Sequence, residues 1–489
     1  MNSNDPGGND APESPQAGFR GWLNRRTGLD DLLRTALDEP IPGGARLAYI
    51  FGSGLLFIFL SQIITGVFLA LYYVPSADHA HTTVAYITKA VTAGSFLRSL
   101  HSYGASAMVI VLLLHLSQTY IYGAYKGRRE LLWISGCALF GLVLGMAFTG
   151  YLLPWDQRAY FATAVGTNAM SEIPGIGASL TRFVRGGTEM GTLTLSRFFV
   201  AHVFLIPACI FALVASHIFL FRKAGAAGPV NEDPYNPKKK AESFYPRQVS
   251  MDLSLTALLI AGLGVLAFFV PVPLGSAADP ANAQYVPRPE WYYLPVFQWL
   301  KYWHGAASVI GVLVLPMILV AGVITLPFLD RSVERRPWKR PAAMGAYLFI
   351  LFTLVGLGLR SQYLDKHDLG VAEQLVKQNE EEAAYMRKPF EPELSSASLA
   401  AANVALANPL AAKGKTIFEA RSCNACHGDG GVGTAAAPAL IGISAKFTAD
   451  QLAALFRNPT AKMTAGGMPK VDPPPDDLKA LIAYIESLK

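Results

Sequence analysis

Seven long apolar runs, separated by shorter polar stretches, organise most of the chain. They cover residues 47–73, 99–122, 131–153, 198–221, 253–271, 308–329 and 342–359, and are called helices A to G below. Each run has about the 17 to 25 mostly apolar residues that an α-helix needs to cross a bilayer. The pattern therefore predicts an all-α fold: a polytopic membrane bundle with seven transmembrane helices.

Polar segments flank and divide this bundle. Residues 1–46 form an N-terminal segment, of which 1–16 have a composition typical of disorder and 18–38 have the periodicity of an amphipathic helix lying on the membrane surface. An ordinary solvated helix is the alternative. The sequence further predicts a four-helix core over 47–225, a three-helix region over 226–360, an acidic, Ala-rich linker over 361–408 and a small α-helical domain over 409–489.

Composition supports a membrane protein with a soluble part: 489 residues, 52% hydrophobic and 16% charged, with a mean hydropathy of +0.31. The net charge of +6 comes largely from Lys and Arg in alternate loops, which is the pattern of cytoplasmic loops. It therefore indicates no nucleic-acid partner. The N-terminus is predicted in the cytoplasm of a bacterium, and seven crossings place the C-terminal domain on the outer, periplasmic side of the inner membrane.

Four histidines lie inside two of the apolar runs. His101 and His115 are 14 residues apart in helix B, and His202 and His217 are 15 apart in helix D. On a helix these gaps correspond to about 21 to 22 Å, with each pair returning to nearly the same face. Adjacent helices would thus offer one imidazole pair near each membrane surface, as two stacked bis-histidine haems require. Interhelical hydrogen bonding is the alternative, but ionisable groups in lipid are costly and usually functional.

Glycines repeat at the same spacing in two neighbouring runs. Gly52 and Gly66 in helix A, and Gly136 and Gly150 in helix C, are each 14 residues apart. Glycine lets another group approach the backbone closely, so these four are predicted to accommodate flat macrocycles; ordinary helix packing is the alternative.

Two arginines precede the first histidine of each pair. Arg98 stands three residues before His101, and Arg197 stands five residues before His202. Cations at these positions could pair with haem propionates, or could simply anchor the helix ends at the interface.

A carboxylate among aromatic residues follows helix E, in the run Pro289, Glu290, Trp291 and Tyr292. Near a membrane pocket, desolvation would raise the pKa of Glu290 and suit it to accept a proton from a buried hydroxyl. The alternative is that Glu290 caps a helix or forms an ion pair at the interface. The loop 150–177 is predicted to form short helices across the outer surface.

The C-terminal domain contains the motif C-x-x-C-H, formed by Cys423, Cys426 and His427. This spacing is the signature of covalent c-type haem attachment, in which the imidazole binds the iron. A zinc site or a redox dithiol is the alternative. The remaining cysteines, Cys137 and Cys209, lie in apolar runs, so no uncommitted cysteine pair remains for an iron–sulfur cluster.

These motifs give two resemblances. Residues 18–360 resemble cytochrome b of quinol-oxidising bc and bf complexes, on the His pairs, the Gly pairs, GYLLPWDQ and the Pro-Glu-Trp-Tyr run, and are closest to the bf and Gram-positive type. Residues 409–489 resemble class I cytochrome c, which implies a distal Met ligand; Met468, followed by proline, is preferred to Met463.

The cytochrome b resemblance implies specific roles. His101 with His202 would bind the outer, low-potential haem b, and His115 with His217 the inner, high-potential one. The outer quinol site would use Tyr151, Pro289, Glu290 and Tyr292. Arg222, with Asp252 as a weaker candidate, would serve an inner quinone site.

The function implied is that of a cytochrome b/c fusion subunit in a quinol:cytochrome c oxidoreductase. One electron from quinol would pass through two b haems to an inner quinone, and the other through a separate Rieske iron–sulfur protein to haem c, with proton translocation. The resemblance also implies a homodimeric complex and a further cytochrome c or oxidase as acceptor. A non-bifurcating di-haem anchor for a partner redox enzyme is the alternative; a transporter is less favoured, because no inverted repeat is visible.

Overall fold

A computed structural model describes residues 19–231, 241–390, 408–431, 433, 437–465 and 468–488. The segment 1–16, predicted to be disordered, and positions 391–407 of the predicted linker lie outside these residues. The chain divides into two compact units, Met1–Phe390 and Glu391–Lys489. Each is described by itself.

The predicted all-α membrane bundle is confirmed. Among the described residues, seven helices are long and apolar enough to cross a membrane. Helices A to G cover Leu47–Ala70, Gly94–Ile121, Glu130–Leu152, Thr192–Ala224, Arg247–Phe269, Ile310–Leu329 and Pro341–His367. Helices B, D and G are longer than their apolar runs, because polar turns extend them beyond the stretch that lipid would cover.

Helices A to D form the core of the membrane unit. A packs along B, and C packs along D, while E lies against A and B and F lies against C. Small residues set the closest approaches: a Cβ on Gly54 of helix A would come within 2.7 Å of Leu255 of helix E. The sequence signal for a four-helix core was the pair of histidine-bearing runs, and these are helices B and D.

Helices D and F each contain one π-helical turn, at Ala201–Leu205 and Ile310–Val314. In both cases a proline, Pro207 or Pro316, follows within two residues of the turn. Proline has no N–H to donate and its ring clashes with the carbonyl four residues earlier, so the preceding turn widens. Because a π-turn absorbs one extra residue, the 15-residue gap between His202 and His217 matches the 14-residue gap in helix B.

Short helices cover the end of the bundle that carries His101 and His202, called the outer end here. They are Ala80–Lys89, Gln157–Ser171, Gly177–Arg185 and Leu294–Leu300. Asp156 begins the second of these, because its carboxylate accepts a hydrogen bond from the Ala159 N–H at 2.9 Å. The loop 150–177 is therefore largely helical, as predicted.

The opposite, inner end is held by loops and a small sheet. The helix expected over 18–38 is two helices, Phe19–Thr27 and Leu29–Leu37, because Gly28 between them has a φ of +62°. Strands Pro40–Pro42 and Ala241–Ser243 pair antiparallel.

A second helix follows helix G. This tail helix, Leu369–Arg387, begins at Asp368, whose side chain accepts a hydrogen bond from the Val371 N–H. Its end packs against the outer end of the bundle, where Tyr385, Met386 and Phe390 contact a cluster of Val84, Ala85 and Leu274. Residues 369–390, which were predicted to be tether, therefore belong to the membrane unit.

The second unit is a small helical domain. Its described helices are Pro409–Ala420, Cys423–His427, Ala449–Arg457, Ala461–Ala465 and Pro475–Ser487. The first and last of these cross closely at Gly414, where a Cβ would overlap the Ala480 backbone. The rings of Phe418 and Tyr484 pack beside this crossing, with 5.4 Å between their centroids. The core of this domain therefore forms where its first and last helices cross.

Candidate functional site

A single cavity of about 1090 Å³ runs through the four-helix core. Its walls include all four histidines and all four glycines predicted from the spacing: His101, His115, His202, His217, Gly52, Gly66, Gly136 and Gly150. It also reaches predicted quinone-site residues at both ends, namely Tyr151, Glu290, Tyr292, Arg222 and Asp252. Because its lining is mostly apolar, it suits a flat, hydrophobic ligand with few polar groups.

The outer histidines face each other across this cavity. The ring centroids of His101 and His202 are 6.2 Å apart, and the rings are inclined by 75°. A Cβ on Gly66 would lie 3.2 Å from Cε1 of His101, and one on Gly150 would overlap the ring of His202. Each outer imidazole is therefore seated against a glycine of the neighbouring helix.

The inner histidines repeat this arrangement, but with longer distances between each glycine and the imidazole that faces it. A Cβ on Gly52 would lie 3.9 Å from Cε1 of His115, and one on Gly136 would lie 3.4 Å from Cε1 of His217. The two 14-residue glycine repeats are thus matched to the histidines one by one.

Small polar groups orient three of the four imidazoles through Nδ1. The Thr65 hydroxyl is 2.9 Å from Nδ1 of His101, and the Ser135 hydroxyl is 2.8 Å from Nδ1 of His217. Nδ1 of His202 donates to the Met146 carbonyl at 3.0 Å. The described residues offer no hydrogen-bond partner to Nδ1 of His115.

The hydroxyl partners were missed from sequence, although a local signal exists. Thr65 and Ser135 directly precede Gly66 and Gly136, and Thr149, 3.4 Å from Nδ1 of His202, directly precedes Gly150. Phe51 stands at the fourth such position, before Gly52, which explains why the Nδ1 of His115 has no hydroxyl beside it. With Nδ1 engaged, the Nε2 atom of the other three rings is the one left to contact a ligand in the cavity.

The two arginines are placed differently. Arg98 lines the cavity and donates to the carbonyls of Val272 and Pro273 at 2.8 and 2.7 Å. Arg197 is exposed and lies over the ring of Phe183, 5.3 Å from its centroid. Only Arg98 is thus brought into the cavity with the outer histidine pair.

The predicted quinol-site residues meet at the outer end. The Tyr151 hydroxyl donates to the carbonyl of Arg288, which precedes Pro289 and Glu290. Arg288 itself pairs with Asp365 near the end of helix G. The Pro-Glu-Trp-Tyr segment is therefore tied both to helix C and to helix G.

Burial controls the protonation of this segment. It raises the pKa of the Glu290 carboxyl above its ordinary value; the positive charge of Arg158 opposes this rise, and the negative charge of Asp156 adds to it. Burial also raises the pKa of Tyr292, with Glu290 and Tyr293 adding to the effect. The tyrosines therefore stay neutral, and Glu290 is the group of this segment that can exchange a proton.

The turn between helix C and the next helix is rigid. Trp155 is buried with a φ of +51°, a conformation that non-glycine residues rarely adopt. Its carbonyl accepts from the Ala278 N–H at 3.0 Å, and Asp156 accepts from the Gly275 N–H at 3.2 Å. The strained turn is held by these contacts, as is common beside functional sites.

The inner end of the cavity is lined by a separate set of polar groups. Arg222 pairs with Glu39 at 3.3 Å, and Asp252 accepts from Gln248 at 3.0 Å. Gln248 in turn accepts from the Arg46 N–H at 2.8 Å. The sequence did not mark Glu39, Gln248 or Arg46 as site residues. Glu39 and Arg46 lie far from Arg222 and Asp252 along the chain, and Gln248 lies in a polar segment without a motif.

The C-x-x-C-H motif forms one helical turn in the second unit. Cys423 is half-buried and Cys426 exposed, and Nδ1 of His427 lies 3.0 Å from the Pro438 carbonyl. That contact orients the imidazole and leaves Nε2 for a ligand. Met463 and Met468 are joined by a backbone hydrogen bond of 3.0 Å, and both are half-buried, so the position of neither distinguishes them as a ligand.

Comparison with known proteins gives three family matches. Residues 36–225 match "Cytochrome b/b6/petB", residues 277–377 match "Cytochrome b(C-terminal)/b6/petD", and residues 411–489 match "Cytochrome c". A cytochrome bc complex cytochrome b subunit of Chlorobaculum thiosulfatiphilum is 33% identical over 355 residues, which is 72% of this chain and 82% of that protein. The chain belongs to the cytochrome b family.

Two further comparisons support the same family assignment. The menaquinol:cytochrome c reductase cytochrome b subunit of Bacillus subtilis is 38% identical over 217 residues, covering 43% of this chain and 97% of that protein. A solved structure titled "Hyperthermophilic respiratory Complex III" aligns with a TM-score of 0.64 at 26% identity, covering 75% of this chain and 96% of the other. The protein is thus a multi-pass cytochrome b of a bc-type quinol:cytochrome c reductase, with a cytochrome c domain at its C-terminus.

The cavity of this cytochrome b fits the haem b that its family implies. Four imidazoles point into an apolar space, and the Cβ atoms that would fill it are missing at four matched glycines. The cytochrome c domain likewise presents two cysteine thiols outside any disulfide and an oriented imidazole for haem c.

One pair of charged residues at the outer end was missed from the sequence. Arg158 and Glu382 form an ion pair of 2.8 Å, and both line the cavity with Glu290. Arg158 directly follows the GYLLPWDQ run, so proximity to that motif was an available signal. Glu382 lay in the predicted linker, where nothing in the local sequence marks a site.

Proposed function

We propose that this cytochrome b/c subunit oxidises quinol at the outer end of its cavity and divides the two electrons. One goes through the membrane core to a quinone at the inner end, and the other goes to a Rieske iron–sulfur partner and then to the cytochrome c domain. Protons are released on the outer side. The observation that carries this proposal is that one cavity joins Glu290, both histidine pairs and Arg222.

We propose the following residues as the ligands of the cofactors. His101 with His202 and His115 with His217 would each bind one haem b, and Arg98 would face the propionates of the outer one. Cys423, Cys426 and His427 would hold haem c, with Met468 as the proposed sixth ligand and Met463 as the alternative. When bound, these haems supply one-electron carriers; the four matched glycines and the Nδ1 contacts of the ligands support the assignment.

Glu290 would accept a proton from the quinol hydroxyl. Its raised pKa brings it closer to the working pH, where a general base is most effective. Tyr151 and Tyr292 line the cavity with Glu290, whereas Pro289, between Arg288 and Glu290, is not part of the cavity wall. The hydrogen bond from Tyr151 to the Arg288 carbonyl fixes the segment relative to helix C. The substrate would therefore be oriented beside Tyr151, whose hydroxyl is held by the backbone of this segment.

Arg222 and Asp252 would serve the inner quinone. Arg222 carries a charge-assisted contact to Glu39 that a quinone carbonyl could share, and the Asp252 carboxyl, held by Gln248, could supply a proton. The Bacillus subtilis relative is named for menaquinol, so menaquinol is the first substrate to test.

A Rieske partner is proposed because quinol oxidation at Glu290 needs a second, high-potential electron acceptor. The chain's four cysteines are Cys137 and Cys209 in membrane helices, and Cys423 and Cys426 in the haem motif. None forms a spare pair, so the cluster would come from another subunit. We further propose a homodimeric complex in a bacterial inner membrane, with the cytochrome c domain on the periplasmic side facing a soluble cytochrome c or an oxidase.

The test is oxidant-induced reduction in the purified complex. With the inner site inhibited, an oxidant that removes electrons from the Rieske and haem c branch should drive quinol to reduce the b haems further. A Glu290→Gln variant should lose this response. A non-bifurcating di-haem anchor would show no extra b reduction on oxidation, and that result would overturn the proposal.

A further inference from the structure

The tail helix places a carboxylate in the outer site that the family motifs do not contain. Glu382 lies five residues before the end of this helix, and its side chain is 15% exposed. It lines the same cavity as Glu290, Tyr151 and Arg98. The outer site is thus completed by a segment that follows the last membrane helix.

The tail helix is fixed in this position by several independent contacts. Lys89 donates to the Tyr385 carbonyl at 2.7 Å, and its ammonium lies 3.8 Å from the Tyr385 ring centroid. The Leu274 N–H contacts the sulfur of Met386 at 3.3 Å, and the rings of Phe390 and Tyr86 meet edge to face. Glu382 is therefore held at the site by the fold and not only by its own ion pair.

Arg158 links the two carboxylates of the site. It binds Glu382 at 2.8 Å and is 39% exposed on its side chain, while its charge also acts on Glu290 and Tyr151. The charged or titratable groups that face Glu382 are Arg158 and Asp156, Arg98 from helix B and Tyr285 from the loop before Glu290. One guanidinium can thus stabilise a negative charge on either Glu290 or Glu382.

Glu382 is also poised to take up a proton. Burial raises the pKa of its carboxyl, and the charges of Arg158 and Arg98 oppose that rise. A raised pKa on a carboxyl that lines the cavity with Glu290 marks it as a candidate for proton exchange.

We propose that Glu382 is the proton-transfer residue that takes the quinol proton from Glu290 and releases it to the outer aqueous phase. This rests on the proposed function. Quinol loses its two electrons to the two one-electron acceptors and its two protons, one after the other, to Glu290. Each time, protonated Glu290 passes the proton through cavity water to ionised Glu382 and returns to its carboxylate form. Glu382 then loses the proton to solvent and again pairs with Arg158.

The test compares Glu382→Gln with Glu381→Gln in the intact complex. Glu381 is the matched control, because it is the adjacent residue on the same helix, its side chain is 61% exposed and it contacts Lys377 one turn earlier. We expect Glu382→Gln to lower kcat about tenfold, less than the about 10²- to 10⁴-fold effect of a direct general base, with KM unchanged and a shifted pH profile. Glu382→Asp should recover most of the rate.

A double variant separates proton transfer from ion pairing. If Glu382 only neutralises Arg158, the Arg158→Gln/Glu382→Gln variant should turn over faster than Glu382→Gln alone; if it carries protons, the rate should stay low. Should Glu382→Gln fail to assemble with normal haem content, the double variant is compared with Arg158→Gln instead.

The outcomes are distinguishable from failure of the proposed function. Glu382→Gln with the rate and pH profile of Glu381→Gln overturns the inference, even where Glu290→Gln abolishes quinol oxidation. If the wild-type complex does not oxidise quinol at all, it is the proposed function that fails.

Discussion

Gly150 of helix C is seated against the imidazole of His202 so closely that a Cβ at this position would overlap the ring. His202 itself lies in the π-turn Ala201–Leu205, and its Nδ1 donates to the Met146 carbonyl one turn before Gly150. Backbone, ring and π-turn thus form one rigid arrangement. A change at Gly150 must therefore act on the orientation of His202.

We predict that Gly150→Ala removes the outer haem b. The added methyl group must displace the His202 ring, and misplaced ligands lose metal affinity steeply. A pyridine haemochrome spectrum of the purified complex should fall from two b haems per c haem to about one. Gly141→Ala, on the same helix but with nothing within 4 Å of the added Cβ, is the control and should keep the wild-type ratio.

Ser135→Ala is predicted to alter the inner haem b while leaving the outer one unchanged. The Ser135 hydroxyl contacts Nδ1 of His217, and loss of such a partner typically weakens metal affinity by about 10- to 100-fold. Redox titration should show a shifted midpoint for one b haem. Ser216→Ala is the matched control: its hydroxyl donates to the Ala212 carbonyl instead. Equal titrations for both variants would contradict the role of Ser135.

The quinol oxidation rate is predicted to depend on pH through Glu290. As a proton acceptor Glu290 must be ionised, and burial raises its pKa, so the rate should rise as pH increases through a value above that of an ordinary glutamate. Glu290→Gln should lower the rate by about 10²- to 10⁴-fold and remove this acid limb. Measurement of kcat against pH in the complex tests this prediction. If the decrease in rate at low pH persists in Glu290→Gln, a group other than Glu290 is responsible for it.

Met468→Leu is predicted to leave the iron of haem c without its methionine sulfur ligand. Met/His ligation raises the reduction potential, so the variant should titrate at a lower potential and bind external ligands such as cyanide. Met463→Leu serves as the comparison, since the two residues are neighbours joined by a backbone hydrogen bond. If Met463→Leu lowers the potential instead, the assignment is reversed.

Asp330→Asn is predicted to destabilise the inner end of the bundle. Asp330 accepts hydrogen bonds from Lys126 at 2.6 Å and Tyr125 at 2.7 Å, and the Lys126 side chain is only 4% exposed. Leaving that ammonium without its carboxylate should cost about 3 kcal/mol. Thermal unfolding should show a lower midpoint, while Asp31→Asn, an exposed change in the second N-terminal helix, should leave it unchanged.

The same site predicts a pH dependence of stability. Burial opposes ionisation of Asp330, but the bonds from Lys126 and Tyr125 outweigh it, so the pKa of this carboxyl is below its ordinary value. The stabilisation is therefore present at pH values above the unfolded pKa and is lost as pH falls through the folded pKa. Midpoints measured across the acid range should converge for the wild type and Asp330→Asn; a constant difference would contradict this origin.

Much of the site could be predicted from local spacing. Repeated gaps of 14 or 15 residues between His101 and His115 and between His202 and His217 are visible in the sequence because a helix turns regularly. The C-x-x-C-H motif is visible for the same reason, since its three side chains lie within one turn. Apolar runs long enough to cross a bilayer identified the seven helices, because lipid imposes length and composition on each helix separately.

The rest depended on contacts between residues distant in sequence. The hydroxyls that orient His101 and His217 come from helices A and C, and nothing in helices B and D indicates them. Pro207 causes the π-turn that compensates for the longer gap between the histidines of helix D. Its effect on helix D is local, but the consequence is that His202 aligns with His101 of another helix.

The number of apolar helices, the helices that carry imidazoles and the place of the C-x-x-C-H motif can all be read from the sequence, because each is set by residues within one helix or one turn. The pairing of Glu382 with Arg158, 224 residues away along the chain, is visible only in the folded protein. No local motif in the tail helix marks this carboxylate, because its position is set by the packing of Tyr385, Met386 and Phe390 on Val84, Ala85 and Leu274.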